Sequence, residues 1–199
     1  MGFDQRALTE CSSVDRGAAS EEVARLVQTD QDARQGVLSA VNWEALTVAD
    51  RQRRVRVSEL FAMGCLSTAR DYAAAALIFQ HGQIPEHYIE AFLFASRAVA
   101  LGDVAQKSLM AKAIDRFLVT TGHRQLFGTN ELVAHDYSCL WPVEPGFPDE
   151  RRREYLLSQT IEERRADVRK RNEHKQGCSQ VECDYAPQPT PRGSLPGVW

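Results

Sequence analysis

Apolar residues recur at helical spacing over most of the chain, and the polar residues between them supply helix caps. The first predicted helix covers 21–40, behind an N-cap at Ser20 and with two glutamates in its first turn. The residues before it, 1–18, mix small and polar types without a period. We therefore expect a frayed N-terminus followed by an ordered domain.

A second helix is predicted from Thr47, whose spacing to Asp50 is that of a capping box, to a point near Gly64. Its apolar residues define the side that we expect to face the core. They are Val48, Val55, Leu60, Phe61 and Met63.

Three more helices follow with links of only a few residues. They cover 68–82, capped by Ser67, then 86–102 behind Pro85, and 104–122. Each ends at a glycine, which suits a left-handed C-cap. Short links make neighbouring helices antiparallel, so the pattern predicts an all-α antiparallel bundle of about six to seven helices.

The helical period stops between His123 and Pro148, where three prolines and a glycine favour an aromatic-packed loop rather than a pair of strands. A further helix is predicted from Pro148. It continues to about Lys175 behind a second start at Thr160. The final stretch, 177–199, is proline-rich and aperiodic, which indicates a disordered tail.

Composition narrows the class of protein. The chain has 199 residues, of which 43 % are hydrophobic, and this suits one helical domain over 19–176. A net charge of −3 argues against a nucleic-acid partner, and no apolar run is long enough to span a membrane. Five widely spaced cysteines predict no disulfide scaffold, with Cys65 and Cys139 in or near the core. A cytoplasmic protein is the resulting expectation, and the oligomeric state is left open.

Topology suggests where polar side chains converge. If the third and fifth helices run parallel on either side of the fourth, their C-terminal ends lie together. His81 would then approach Asp115, which orients the imidazole as a general base. The same end would gather four ligand-binding candidates: Gln80, Arg116, Gln125 and Thr129. A structural origin for these residues, as a helix-end histidine and an Asp–Arg ion pair, is an equally simple interpretation.

The first helix carries a further polar group, D-x-D-x-R, formed by Asp30, Asp32 and Arg34. Asp32 and Arg34 are candidate ligand-binding residues, although spacing alone leaves open whether the three join His81.

Familiar chemical motifs are missing from the chain. It has no nucleophile elbow, phosphate loop, dinucleotide turn or zinc-protease helix. Cys178 and Cys183 have no second ligand pair, and the loop residues His135 and Asp136 favour turn chemistry. No metal site and no cofactor are therefore expected.

Four segments resemble a widespread family of bacterial domains of unknown function. They are D-x-D-x-R at Asp30–Arg34, F-Q-H-G at Phe79–Gly82, L-M-A-x-A-x-D-R-x-L at Leu109–Leu118 and G-x-x-Q-x-F-G-T at Gly122–Thr129. Asn130 stands where the family tends to have glutamine. The resemblance covers 20–175 and implies a helical fold without naming a reaction. Locally, 67–101 resembles a single tetratricopeptide- or Sel1-type hairpin.

Two functions remain open from the sequence. The first is a helical module that binds a small ligand or peptide at the polar cluster. The second is a small hydrolase-like or transferase-like enzyme with His81 as general base and Asp115 as its orienting group.

Overall fold

The computed structural model describes residues 11–35, 41–133, 137–173, 181–195 and 197–198. Within these ranges the chain forms seven α-helices, so the predicted helical fold class is confirmed, and it adds one small antiparallel sheet to the all-α fold that was expected. The helices are α1 (Ser13–Asp32), α2 (Trp43–Ala62), α3 (Ala69–Gln80), α4 (Pro85–Ala100), α5 (Lys107–Thr120), α6 (Asp149–Glu154) and α7 (Ile161–Asn172). The strands are β1 (Glu131–Val133) and β2 (Ser138–Leu140).

The first helix begins eight residues earlier than predicted. Ser12, not Ser20, is the N-cap, because its hydroxyl accepts a hydrogen bond of 3.1 Å from the Asp15 amide. Residues 11–18 are therefore ordered, where a frayed end was expected. The predicted last turn, 36–40, lies outside the described residues.

The buried side of α2 differs from the predicted one. Val48, Val55 and Phe61 are each about half exposed, at 54 %, 52 % and 49 %. The buried face is instead a mixed stripe of Leu46, Asp50, Arg53, Arg54, Val57 and Leu60. Polar residues with partners across the helix interface occupy positions that a purely apolar pattern overlooks. The predicted helix end is confirmed by Gly64, which has φ +71° just after the helix.

The start of α3 is fixed by a capping box one residue later than predicted. Thr68 accepts from the Asp71 amide at 3.1 Å, and the Asp71 carboxylate accepts from the Thr68 amide at 2.8 Å. His81 is itself the C-cap residue, and Gly82 does not adopt the predicted left-handed conformation.

Both α4 and α5 follow the prediction. Pro85 opens α4, and Gly102 ends the turn after it with φ +104°. A short 3₁₀ turn, Val104–Gln106, leads into α5, and Gly122 follows α5 with φ +81°.

The segment after α5 contains the strand pair that the sequence argued against. β1 and β2 pair antiparallel, with Leu132 opposite Cys139. The prolines fall beyond β2, so they do not interrupt the ladder. Farther on, α6 begins after Pro148 and α7 behind a Thr160–Glu163 capping box, both as predicted.

The described part of the predicted disordered tail is attached to the rest of the chain. The Cys183 amide donates to the Leu140 carbonyl at 2.9 Å, and the Thr190 hydroxyl donates to the Arg124 carbonyl at 2.6 Å. Val198 is 5 % exposed. These contacts replace the free tail that its proline content suggested.

Two disulfides correct the expectation drawn from the cysteines. Cys11 bonds to Cys65, and Cys139 bonds to Cys183. Their wide separations in sequence, 54 and 44 residues, hid the pairing from a spacing argument. Cys178 lies outside the described residues.

The chain divides into two units, which are described separately. Unit 1 comprises Met1–Gln83 and Leu93–Gln106, and unit 2 comprises Ile84–Phe92 and Lys107–Trp199. In unit 1, α1, α2 and α3 contact one another, and Phe94 of α4 lies 5.2 Å and 5.4 Å from the rings of Phe61 and Phe79. Aromatic packing thus joins the second half of α4 to α2 and α3.

Two apolar clusters occur among the described residues of unit 2. One joins α5 to the segment after it, through Ile114, Leu118, Leu126, Phe127 and Phe147. The other packs β2 against α7, through Leu140 and Val168. No helix within the described ranges is both long and apolar enough to cross a membrane.

Candidate functional site

A histidine and a buried aspartate form the centre of a charged cluster in unit 1. His81, at the end of α3, places Nδ1 2.9 Å from Oδ2 of Asp30, near the end of α1. Because an ionised carboxylate can only accept, this contact assigns the proton to Nδ1. Nε2 then has its lone pair available unless the ring is doubly protonated, and it has no hydrogen-bond partner among the described residues.

Two arginines connect Asp30 to a second carboxylate, Asp50 of α2. Arg34 donates from Nη1 to Asp30 at 2.7 Å and from Nη2 to Asp50 at 2.6 Å. Arg53 donates to the other oxygen of Asp50 at 2.8 Å. The α1–α2 interface is thus held by a continuous chain of ion pairs.

Two arginines of α2 also donate to backbone carbonyls. Arg53 also donates to the Thr29 carbonyl at 3.2 Å, and the neighbouring Arg54 donates to the His81 carbonyl at 3.2 Å. The ends of α1 and α3 and the middle of α2 are consequently joined around His81. We call Asp30, Arg34, Asp50, Arg53, Arg54 and His81 the charged cluster.

Both carboxylates of the charged cluster are buried, as are Arg53 and Arg54, but the other two donors are partly exposed. The side chains of Asp30 and Asp50 are 1 % and 8 % exposed, whereas those of Arg34 and His81 are 21 % and 19 % exposed. Burial by itself raises the pKa of Asp30, but the hydrogen bond and charge of His81 and the charge of Arg34 outweigh it and hold that pKa below its usual range.

The predicted pairing of His81 with Asp115 is replaced by the pairing with Asp30. His81 belongs to unit 1 and Asp115 to unit 2, and each has its hydrogen-bond partners inside its own unit. Arg34 joins His81, which the sequence had left open, through their shared carboxylate. The catalytic role of His81 stays a prediction.

Asp115 organises the turn that follows α5. Its carboxylate accepts hydrogen bonds from the amides of Leu126, Phe127 and Thr129 and from the Thr129 hydroxyl, all at 2.8–2.9 Å. Its side chain is fully buried. Burial raises the pKa of Asp115, and the four hydrogen bonds act in the opposite direction. These bonds use the carboxylate to hold the backbone of a turn.

Two further side chains, Gln125 of the turn and Arg152 of α6, also bond to backbone carbonyls. The Gln125 amide donates to the carbonyls of Asn130 and Trp141 at 3.0 and 2.6 Å. Arg152, which is 3 % exposed, donates to the Leu126 carbonyl at 2.7 Å. The ligand-binding roles predicted for Gln125 and Thr129 therefore compete with structural bonds that the structure describes.

The other predicted ligand-binding residues have environments that differ from one another. Gln80 is buried on α3 at 5 % exposure, and the Arg116 guanidinium lies 6.0 Å from the centre of the Tyr88 ring. Asp32 is exposed and accepts from Gln28 at 2.8 Å. His135 and Asp136 lie outside the described residues.

Three charged residues of the cluster were missed in the sequence. Asp50, Arg53 and Arg54 share the buried face of α2 with Val57 and Leu60, at the 3- and 4-residue spacing of one helix face. A helix face defined by apolar residues alone does not include them. Opposite charges at this spacing on one helix face are the signal that points to a buried ion-pair network.

No group of three metal-ligating side chains occurs in the described part of the chain. Two cavities lined by described residues have no member of the charged cluster in their linings. One of about 310 Å³ lies beside the Cys11–Cys65 disulfide and the ion pair of Glu22 and Arg56. A smaller cavity in unit 2 includes Thr129.

Comparison with known proteins gives no match: neither a protein-family model nor a curated protein nor a solved structure matches the chain.

Proposed function

We propose that unit 1 is a binding module that takes a small anionic ligand, a carboxylate or phosphate, at the exposed edge of the charged cluster. The observation that carries the proposal is the arrangement of charge around Asp30. Its carboxylate is 1 % exposed, whereas the side chains of Arg34 and His81 that bind it are 21 % and 19 % exposed, so the accessible side presents the Arg34 guanidinium and the His81 ring rather than the carboxylate.

Donor capacity supports the same proposal. Arg34 uses Nη1 for Asp30 and Nη2 for Asp50, while its Nε–H forms no hydrogen bond within the described residues. The three arginines also outnumber the two carboxylates, which leaves the cluster with a net positive charge when His81 is neutral.

The alternative function is a small hydrolase-like or transferase-like enzyme. One specific observation favours it: the Asp30–His81 contact fixes Nδ1 and leaves Nε2 as the base, an arrangement used in general-base catalysis. In this alternative, Asp30 takes the orienting role that was predicted for Asp115. Arg34 would bind the negatively charged part of the substrate.

The binding proposal is tested by NMR of ¹⁵N-histidine-labelled protein titrated with inorganic phosphate and, separately, with acetate. We expect saturable shifts of the His81 ring nitrogens, while His123, whose Nδ1 lies near the Thr121 hydroxyl, serves as the internal reference. Arg34→Gln should weaken the response about tenfold, since it removes a charge-assisted donor. Equal, non-saturating shifts of both histidines would contradict the proposal.

The enzyme alternative needs its own measurement. The purified protein is incubated with a panel of ester, amide and phosphoester substrates, beside His81→Gln and Asp30→Asn. Turnover that is lost in His81→Gln and reduced in Asp30→Asn would favour the enzyme. Phosphate binding without turnover would favour the module.

Two broader proposals accompany the function. The disulfides favour an oxidising compartment over the reducing cytoplasm that we expected from the cysteine spacing. Membership of the bacterial family of domains of unknown function, suggested by the four motifs, also stays a proposal.

A further inference from the structure

A second cavity, in unit 2, has a lining of unbalanced charge. Its volume is about 220 Å³. Its lining includes Lys112, Phe127, Gly128, Thr129, Leu157 and Arg164. Two of these side chains are cationic and none is acidic, so the cavity presents positive charge with no counter-charge in its wall.

Neither cation is firmly paired. Lys112 is exposed and forms no hydrogen bond or ion pair with any described residue. Arg164 donates to the Gly128 carbonyl at 3.3 Å and to Glu131 at 3.4 Å, which are long for N–H···O bonds. Glu131 is meanwhile bound at 2.5 Å by Arg171. Both Lys112 and Arg164 therefore retain donors for an anion.

The cavity wall also includes a fixed apolar surface. Phe127 is 2 % exposed and lies 4.9 Å and 4.7 Å from the rings of Phe147 and Tyr155. The amides of Phe127 and Thr129 are held by Asp115. Because the floor is already ordered, a ligand would lose little affinity to rearrangement of this segment.

We propose that this cavity binds a small organic acid, with its carboxylate or phosphate between Lys112 and Arg164 and a short apolar body against Phe127 and Leu157. A volume of 220 Å³ is below the range of roughly 300–1,000 Å³ typical of pockets for drug-sized ligands, so the body is short. The site is separate from the charged cluster and does not depend on the function proposed for it.

Benzoate, phenyl phosphate and the neutral benzamide are suitable probes, followed by backbone-amide NMR of the full chain. We expect one of the two anions to produce saturable shifts at Phe127, Gly128 and Leu157, and benzamide to bind at least about tenfold more weakly. The stronger anion identifies the head group. Equal binding of benzamide, or no saturable shift with either anion, overturns the proposal.

Variants separate the site from general attraction of anions. Lys112→Gln should weaken the stronger anion about fivefold or more, whereas Lys107→Gln, on the same helix but outside the cavity, should leave its affinity unchanged. Arg164→Gln is the corresponding variant of the other cation. If that variant fails to fold, Arg164→Lys, which keeps the positive charge, is used in its place. His81→Gln should leave this binding intact, so the two sites fail independently. An equal effect of the two lysine variants overturns the proposal.

Discussion

At the scale of single residues, Asp30 is the group on which the charged cluster depends. Its carboxylate, 1 % exposed, is bound by His81, which directly follows α3, and by Arg34, which lies just beyond the end of α1. A buried carboxylate is tolerated only when cationic groups are paired with it. Removing the carboxylate or its partner leaves the remaining charge buried and uncompensated. The Asp30 side chain therefore contributes both to the stability of unit 1 and to the orientation of the His81 ring.

The pH dependence of stability should report Asp30. Its pKa in the folded state lies below the unfolded value of about 3.9, so its contribution is complete above about pH 4 and is lost as the pH falls through the folded pKa. We expect Asp30→Asn to cost about 2 kcal/mol or more at pH 7, with the difference from wild type shrinking below pH 4.

Urea denaturation at several pH values provides the measurement. Asp32→Asn, an exposed neighbour on the same helix, is the matched control and should show little change at any pH. A loss for Asp30→Asn that stays constant down to pH 2 would contradict the ionic role of Asp30.

A second residue-scale prediction concerns Leu156, which has φ +60° at the end of α6. Its neighbour Leu157 donates back to the Arg152 carbonyl, a helix ending that usually places glycine at this position. Leu156 is 55 % exposed, so its side chain contributes little burial. We expect Leu156→Gly to be about 1 kcal/mol more stable than Leu156→Ala, which keeps the Cβ. Thermal unfolding of the two variants measures this difference. Equal melting temperatures would show that glycine relieves no backbone strain at this position.

At the scale of elements, the helix starts show how local hydrogen bonds select among adjacent polar residues. Ser67 and Thr68 both precede α3, and each has the chemistry of an N-cap. The Thr68 hydroxyl is the cap because the Asp71 carboxylate, three residues later, also accepts a hydrogen bond from the Thr68 amide. The reciprocal pair, not the first available hydroxyl, determines the start.

This choice can be measured with two single substitutions. Thr68→Ala should lower the free energy of unfolding by about 1 kcal/mol, since it leaves a first-turn amide unpaired. Ser67→Ala should change it by less than about 0.5 kcal/mol. Chemical denaturation monitored by circular dichroism gives both values, and a larger loss for Ser67→Ala would reverse the assignment of the cap.

At the scale of the whole molecule, disulfides supply constraints that span long stretches of the chain. Cys11–Cys65 closes a loop with a separation of 54 residues, and Cys139–Cys183 attaches the last part of the chain to β2. Loops of this length are worth about 4 kcal/mol each in the chain-entropy model. Reduction should therefore loosen the C-terminal segment.

Thiol counting and proteolysis test this expectation. With five cysteines and four of them paired, the denatured, unreduced protein should show one reactive thiol. Cys139→Ala/Cys183→Ala should melt at a lower temperature and be cut faster near Glu182, while the protein retains its helical circular dichroism. Five reactive thiols in protein prepared without reductant would contradict both disulfides.

Most of the helices are predictable from local sequence, because caps, prolines and terminal glycines act within a few residues: Pro85, Gly102, Gly122 and the Thr160–Glu163 box all occur where predicted. Which distant groups meet depends instead on how the helices pack. The partner of His81 lies 51 residues away, and no local rule distinguishes Asp30 from Asp115. The buried face of α2, the cysteine pairs and the attached tail likewise depend on contacts between distant segments, where burial and pairing energy override local composition.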